Sequence, residues 1–322
     1  MSLSWPTPIL AYIRAAQARI AKVAVRTPLI KLDWDEGPGE IYLKLENLQP
    51  IRAFKIRGAY NCMAALDPAD LAEGVWTGSA GNHAQAVAVS ARALGVPCTV
   101  YVPETAPRTK VDNSIRYGAR VVELPVQEWA DIFRNRGYAG ATGLFIHPYS
   151  DPLVIAGQGT IGLEIIEDLP DVDTIIAPWG GGGLSTGIAA AVSQITPHVK
   201  VIACEIETGA PLGPSLQAGH PVEVDFRPSF ADGIGDSWVN EEMLELAQRL
   251  GITAITTTLD QTADAARILI SRAAIVPEGA GATPLAAAMN AGADSGKTVL
   301  VISGGNIDAS TLRTILAGET PR

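Results

Sequence analysis

The chain has 322 residues, 47% of them hydrophobic and 18% charged, which supplies enough apolar material for a large buried core and excludes a disordered polymer. Its net charge of −10 is spread over short acidic patches, so polyanions are repelled and nucleic-acid binding is not expected. No uncharged apolar run reaches spanning length, and the opening MSLSWPTPIL lacks a basic segment followed by an apolar stretch, so a soluble cytoplasmic protein without a signal peptide is expected.

Apolar β-branched runs alternate with longer alanine-rich segments of helical spacing, which predicts a βαβ architecture with a largely parallel sheet. No repeat or long linker marks a domain boundary. The first unusual segment is IRAFKIRGAY, Ile51 to Tyr60, where Lys55 follows Phe54 among short apolar residues. Lysines are ordinarily exposed. One held in an apolar pocket has a lowered ammonium pKa and becomes a nucleophilic amine able to form a Schiff base.

Next comes TGSAGNHAQAVA, in which a short strand ends at Ser79, Ala80, Gly81 and Asn82, at the mouth of a helix predicted from Gly81 to Gly95. Small residues and free N–H groups there suit an anion such as a carboxylate. The competing readings are that Asn82 caps the helix and that His83 is a polar helix-start residue. Strands are predicted at Cys98 to Pro103, Ala119 to Leu124 and Val172 to Pro178. The cysteines, Cys62, Cys98 and Cys204, are odd in number and widely spaced, which fits buried thiols in a reducing compartment better than disulfides or zinc.

After the strand ending at Pro178 come Gly180, Gly181, Gly182 and Gly183, then a helix predicted to begin near Leu184. Successive bare amides at a helix start make a phosphate cradle. A dinucleotide fingerprint fails on spacing: from Gly180 the sixth residue is Ser185, from Gly181 it is Thr186, and from Gly182 the third is Leu184. A P-loop fails because no Lys-Ser or Lys-Thr follows. Further strands are predicted at Lys200 to Glu205 and Lys297 to Ser303, and the last opens into SGGN, where open α/β sheets place ligands.

FKIRGA, SAGNHAQ, HPYSDP with IAGQGTIGLEI, GGGGL, ADGIG, PEGAGA and SGGN follow one another from Phe54 to Asn306. With these motifs in this order the chain resembles, almost end to end, the pyridoxal-phosphate-dependent threonine/serine dehydratases of the fold-type-II, tryptophan-synthase-β-like family. The resemblance implies two open, twisted, mostly parallel α/β domains with the cofactor in the cleft between them. Residues 1–51 and 144–322 would form the large domain, residues 52–143 the small one, and the assembly would be a homodimer.

The same resemblance implies that Lys55 carries pyridoxal 5'-phosphate as a Schiff base, while Gly180, Gly181, Gly182, Gly183 and Leu184 hold its phosphate through backbone amides. Phe54 would pack on the ring, Asn82 would meet the phenolic oxygen and Ser303 the pyridine nitrogen. Ser79, Ala80, Gly81, Asn82 and His83 would bind the substrate carboxylate, with Glu278 and Gly233 lining the cleft. The implied reaction removes water from a 3-hydroxy amino acid such as L-threonine or L-serine, giving a 2-oxo acid and ammonia. Dehydration of 3-hydroxyaspartate, racemisation and β-replacement are the alternatives on this fold.

Several positions depart from the family pattern. Ala80 stands where racemases carry a serine as second acid/base, which disfavours racemisation. Glu205 is one of two carboxylates expected around a divalent cation, but Pro211 occupies the other place, so no metal is assigned. Ala53 replaces a usual serine, and Arg52 replaces a small or neutral residue. Arg52 reads as a solvated surface arginine, or else as a selector of an acidic substrate side chain. The chain ends soon after the SGGN motif, with IDASTLRTILAGETPR, which resembles the stand-alone catabolic type without a regulatory domain.

Overall fold

The computed structural model describes residues 9–35, 37, 39–106, 108–291 and 296–321. Most of the opening segment that bears on a signal peptide, residues 1–8, lies outside the described residues. The first half of the chain runs α1 (Ile9–Ile20), β1 (Leu29–Lys31), β2 (Glu40–Lys44), α2 (Lys55–Ala64), β3 (Val75–Gly78), α3 (Asn82–Leu94), β4 (Cys98–Pro103), α4 (Arg108–Arg116), β5 (Arg120–Leu124), α5 (Val126–Asn135) and β6 (Leu144–Phe145). The second half runs α6 (Pro152–Asp168), β7 (Thr174–Pro178), α7 (Gly183–Val192), β8 (Lys200–Ile206), α8 (Leu212–Ala218), α9 (Glu241–Arg249), β9 (Thr253–Thr257), α10 (Leu259–Ala273), α11 (Gly279–Ala291), β10 (Lys297–Val301) and α12 (Ala309–Leu316).

Two sheets result. The larger has the order β1-β2-β10-β7-β8-β9, parallel except for the β1–β2 pair. Its central strands are buried on both faces, which is why they read as continuous apolar runs. Along β10, Val299 and Val301 enter one core with Ile175 and Ala177 of β7, while Leu300 enters the opposite core with Ile176. The smaller sheet, β5-β4-β3-β6, is wholly parallel and lies in the chain between β2 and β7. Its last strand, β6, pairs Leu144 with Val75 and so falls just beyond Gly143, where the sequence suggested that the small unit ends. The predicted strands and helices are present with ends shifted by a residue or two; α3 closes on Gly95 at φ 72°, a left-handed conformation that glycine adopts without strain.

Helix α6 is buried from Val154 to Ile166 and packs against α1, α2 and α7. Its approach to α2 needs glycine on both sides. A Cβ at Gly157 would stand 2.6 Å from the Arg57 carbonyl oxygen, and one at Gly58 would stand 2.6 Å from that of Val154. IAGQGTIGLEI is therefore a packing motif, away from the ligand cavity.

Next to this crossing lies a buried set of four charges. Arg57 directs Nε at Glu46 Oε2 (2.8 Å) and Nη1 at Glu164 Oε1 (2.6 Å), and Lys44 Nζ meets Glu164 Oε2 at 2.6 Å. Thr27, Thr160 and Gln49 satisfy remaining positions. Two positive and two negative groups balance, and each oxygen and nitrogen in contact is hydrogen-bonded, the condition under which buried ions are tolerated. Replacing Arg57 strands two carboxylates beside one lysine. Arg57→Met should therefore lower stability by about 3–5 kcal/mol in urea unfolding, and a change below about 1 kcal/mol would contradict this account.

Candidate active site

A cavity of about 670 Å³ lies where β3, β7 and β10 end, between the two sheets. Phe54, Lys55, Ser79, Ala80, Gly81, Asn82, His83, Gly180, Gly181, Gly182, Gly183, Leu184, Gly233, Glu278 and Ser303 all line it. Segments far apart in sequence thus converge on one space, at the position where open α/β sheets bind ligands.

The glycine loop follows β7 and forms the start of α7, with Gly182 at the N-cap and no side-chain cap. Gly182 has φ 87°, and a Cβ there would fall within the Trp179 ring. A Cβ on Gly181 would fall within the Tyr149 ring. Only bare backbone fits between these aromatics and the cavity, so the first amides of α7 are left facing the space as an anion cradle. The Tyr149 hydroxyl donates to Asn240 Oδ1 at 2.9 Å, which fixes the ring beneath the loop.

Lys55 opens α2, directly after Phe54. The Phe54 N–H donates to the Ser303 carbonyl at 3.0 Å and Ala53 bridges to Gly304, so the lysine turn is pinned to the SGGN loop. Lys55 Nζ lies 5.2 Å from the Phe54 ring centre and donates to the Pro148 carbonyl at 2.7 Å. Burial pushes its ammonium pKa down to about 8, against an opposing pull from Glu278. The amine is accordingly available as a nucleophile and base near neutral pH.

Asn82 does not cap its helix. Gly81 occupies the N-cap, and the Asn82 side chain instead donates from Nδ2 to Glu278 Oε1 (2.8 Å) and accepts at Oδ1 from Asn306 Nδ2 (2.7 Å). His83 is a polar residue in the first turn of α3, and it is buried, with Nε2 meeting the Ile146 carbonyl at 3.0 Å. Burial pushes its pKa down to about 3, so the ring is neutral and Nε2 carries the hydrogen. Glu278 is buried, and desolvation, with Asp232 acting in the same direction, raises its carboxyl to about 7.

Glu205 stands outside the cavity lining. Its Oε1 and Oε2 accept the Leu212 and Gly213 amides at 2.8 and 3.0 Å, which ties it to the start of α8. Among the described residues, no cluster of three His, Cys, Asp or Glu side chains could hold a metal. Arg52 is exposed, lines the cavity and sits at φ 58°. Sequence reasoning missed Tyr149, Trp179 and Asn306. The signals were present in the tyrosine of HPYSDP, the tryptophan abutting the glycines and the last residue of SGGN.

A desolvated lysine facing a glycine-built anion cradle, at the ends of parallel strands, defines an α/β enzyme that holds a phosphorylated carbonyl cofactor. The family model for the pyridoxal-phosphate dependent enzymes matches residues 20–305, and the chain belongs to that family, with the fold-type-II architecture and dependence on pyridoxal phosphate. It is 41% identical over 310 residues to an L-threonine ammonia-lyase of Thermotoga maritima, covering 94% of this chain and 77% of that one. It is 37% identical over 328 residues to the catabolic L-threonine dehydratase of Escherichia coli, covering 98% of both. Maize serine racemase superposes with a TM-score of 0.85 at 33% identity, covering 96% of this chain and 97% of that one.

The residues present fit this cofactor: the cradle that a Cβ would fill suits its phosphate, and the desolvated Lys55 amine suits its aldehyde. Two outcomes follow. Gly181→Ala should raise the apparent dissociation constant for pyridoxal phosphate about tenfold or more, given that overpacking costs about 1–3 kcal/mol, with the circular dichroism unchanged. Since the neutral amine reacts, the rate of apoenzyme reconstitution should rise with pH through a midpoint near 8; a midpoint near the ordinary lysine value of 10.5 would contradict the desolvation of Lys55.

Proposed function

We propose that this enzyme is a threonine/serine-type ammonia-lyase, which removes water from a 3-hydroxy amino acid and releases a 2-oxo acid and ammonia. The desolvated Lys55 amine beside the glycine cradle carries this reading, and the similarity to threonine ammonia-lyases over most of the chain supports it. When bound, the cofactor supplies an electron sink for charge that develops at the substrate α-carbon.

The remaining roles belong to the chain. Amides of Gly180 to Leu184 would hold the phosphate, Phe54 would pack on the ring, and Asn82 Nδ2 would meet the phenolic oxygen. Ser303, buried just after β10, would meet the ring nitrogen with a hydroxyl and not with a carboxylate that would keep it protonated. The loop of Ser79, Ala80, Gly81, Asn82 and His83 receives the substrate carboxylate, and Glu278 and Gly233 close the far wall. The Lys55 amine, with its lowered pKa, would take the substrate α-proton as general base. Ala80 has no ionisable group to return a proton from the opposite face, which favours elimination over racemisation. Loss of the β-hydroxyl as water leaves an enamine that hydrolyses to the 2-oxo acid and ammonia.

Arg52 supports a second reading, a substrate with an acidic β-substituent such as 3-hydroxyaspartate, because this residue belongs to the cavity lining. The two sheets support the division into a small unit near residues 52–143 and a discontinuous larger one. We also infer a homodimer, as the family resemblance implies. A cytoplasmic setting is supported by three free, buried cysteines and by the absence, among the described residues, of a helix long and apolar enough to cross a membrane.

Release of 2-oxo acid from L-threonine, L-serine and 3-hydroxyaspartate, assayed without an added nucleophile, tests the proposal. Activity on at least one is expected, and Lys55→Ala should reduce it by at least about 10²-fold. Turnover that appears only when a thiol or amine nucleophile is supplied would establish a β-replacement synthase instead.

A further inference from the structure

Asn82 and Asn306 share one directional chain of hydrogen bonds. It begins at the backbone carbonyl of Ile51, which can only accept, so the Asn306 atom 2.8 Å from it is the amino nitrogen Nδ2. The same amino group reaches Asn82 at 2.7 Å, and the Asn82 atom there must therefore be the acceptor, Oδ1. That assignment leaves Asn82 Nδ2 at 2.8 Å from Glu278 Oε1. The other Glu278 oxygen accepts the Asn306 backbone N–H at 3.2 Å. Turning the Asn82 amide over would set two amino groups face to face and a carbonyl oxygen against a carboxyl oxygen. The Asn306 bond would become a repulsion in either state of Glu278, and with Glu278 ionised both bonds would.

We propose that Asn306 is a positioning residue that, with Glu278, locks the amide orientation of Asn82, so that Asn82 presents an N–H and not its carbonyl oxygen to the cofactor cavity. Glu278 uses one of the two Nδ2 hydrogens, and the other is left for the space that Asn82 lines. A phenolic oxygen that carries negative charge accepts from an N–H and is repelled by a carbonyl. The orientation therefore decides whether Asn82 attracts or opposes the cofactor. The anchor, Ile51, lies four residues before Lys55, so the chain ties the asparagine to the lysine turn. The inference rests on the assignment of Asn82 to the phenolic oxygen.

The test uses the holoenzyme and reads the cofactor absorption band, its pH midpoint and the apparent dissociation constant for pyridoxal phosphate. Asn306→Asp keeps the size of the side chain and removes its donor, and Asn306→Ala removes the side chain while retaining the backbone N–H to Glu278. Both should move the band and its pH midpoint in the direction that Asn82→Ala does, and should weaken cofactor binding by about 2–10-fold, as expected for one hydrogen bond. In the double variant Asn82→Ala/Asn306→Ala the second change should add nothing further to the band, because Asn306 acts through Asn82. An Asn306 variant with the unaltered band, or effects that add in full, would overturn the proposal. If Asn82→Ala itself leaves the band unmoved, the assignment of Asn82 fails and the proposal falls with it.

Discussion

The guanidinium of Arg57 is the constraint around which the site is arranged. It is almost fully buried, two residues after Lys55, and fills the space between the segment that follows β2 and α6. A charge so desolvated is tolerated only with its partners in place, so Glu46 and Glu164 dictate where α2 lies and how it is rotated. The glycines at positions 58 and 157 let the two helices come close enough for Arg57 to reach across. On the other side the turn before α2 is tied to the SGGN loop through Phe54 and Ala53. Lys55 is held between these two attachments, one ionic and buried, the other made of backbone hydrogen bonds.

That placement separates structural charge from chemical charge. The cluster around Arg57 is neutral in sum and closed to solvent, whereas the cavity keeps a lysine whose amine is easily neutralised and a glutamic acid whose carboxyl pKa is raised to about 7. Opposite them, backbone amides at the start of α7 provide positive potential without any side chain. Tyr149 and Trp179 occupy the volume that side chains on the loop would otherwise take. The cavity thus pairs an anion cradle made of backbone with a nucleophile tuned by burial.

Much of this was legible in the sequence because its causes are local. Buried parallel strands announce themselves as β-branched runs, Gly95 marks the end of α3, and four glycines after a strand leave few uses besides anion binding. What could not be read depends on distant partners. Asn82 has the composition of a cap, but Gly81 takes that place and the asparagine turns to Glu278 and Asn306, some two hundred residues away. For His83 the sequence suggests a polar helix start, and its partner, the Ile146 carbonyl, is brought to it only by the fold. Glu205 has the position of a ligand-binding acid, and only the fold shows that the start of α8 occupies both its oxygens. The two residues of β6 carry no pattern of their own and are a strand only because β3 lies beside them.

Lys55, desolvated and fixed between Arg57 and the SGGN loop, is the residue proposed to carry the cofactor. Borohydride reduction of the holoenzyme followed by peptide mass spectrometry tests it directly. The account predicts that the reduced cofactor is found on the peptide containing Lys55 and on no other. Recovery of the label on Lys110, the other lysine of the cavity lining, or on a lysine elsewhere, would contradict it.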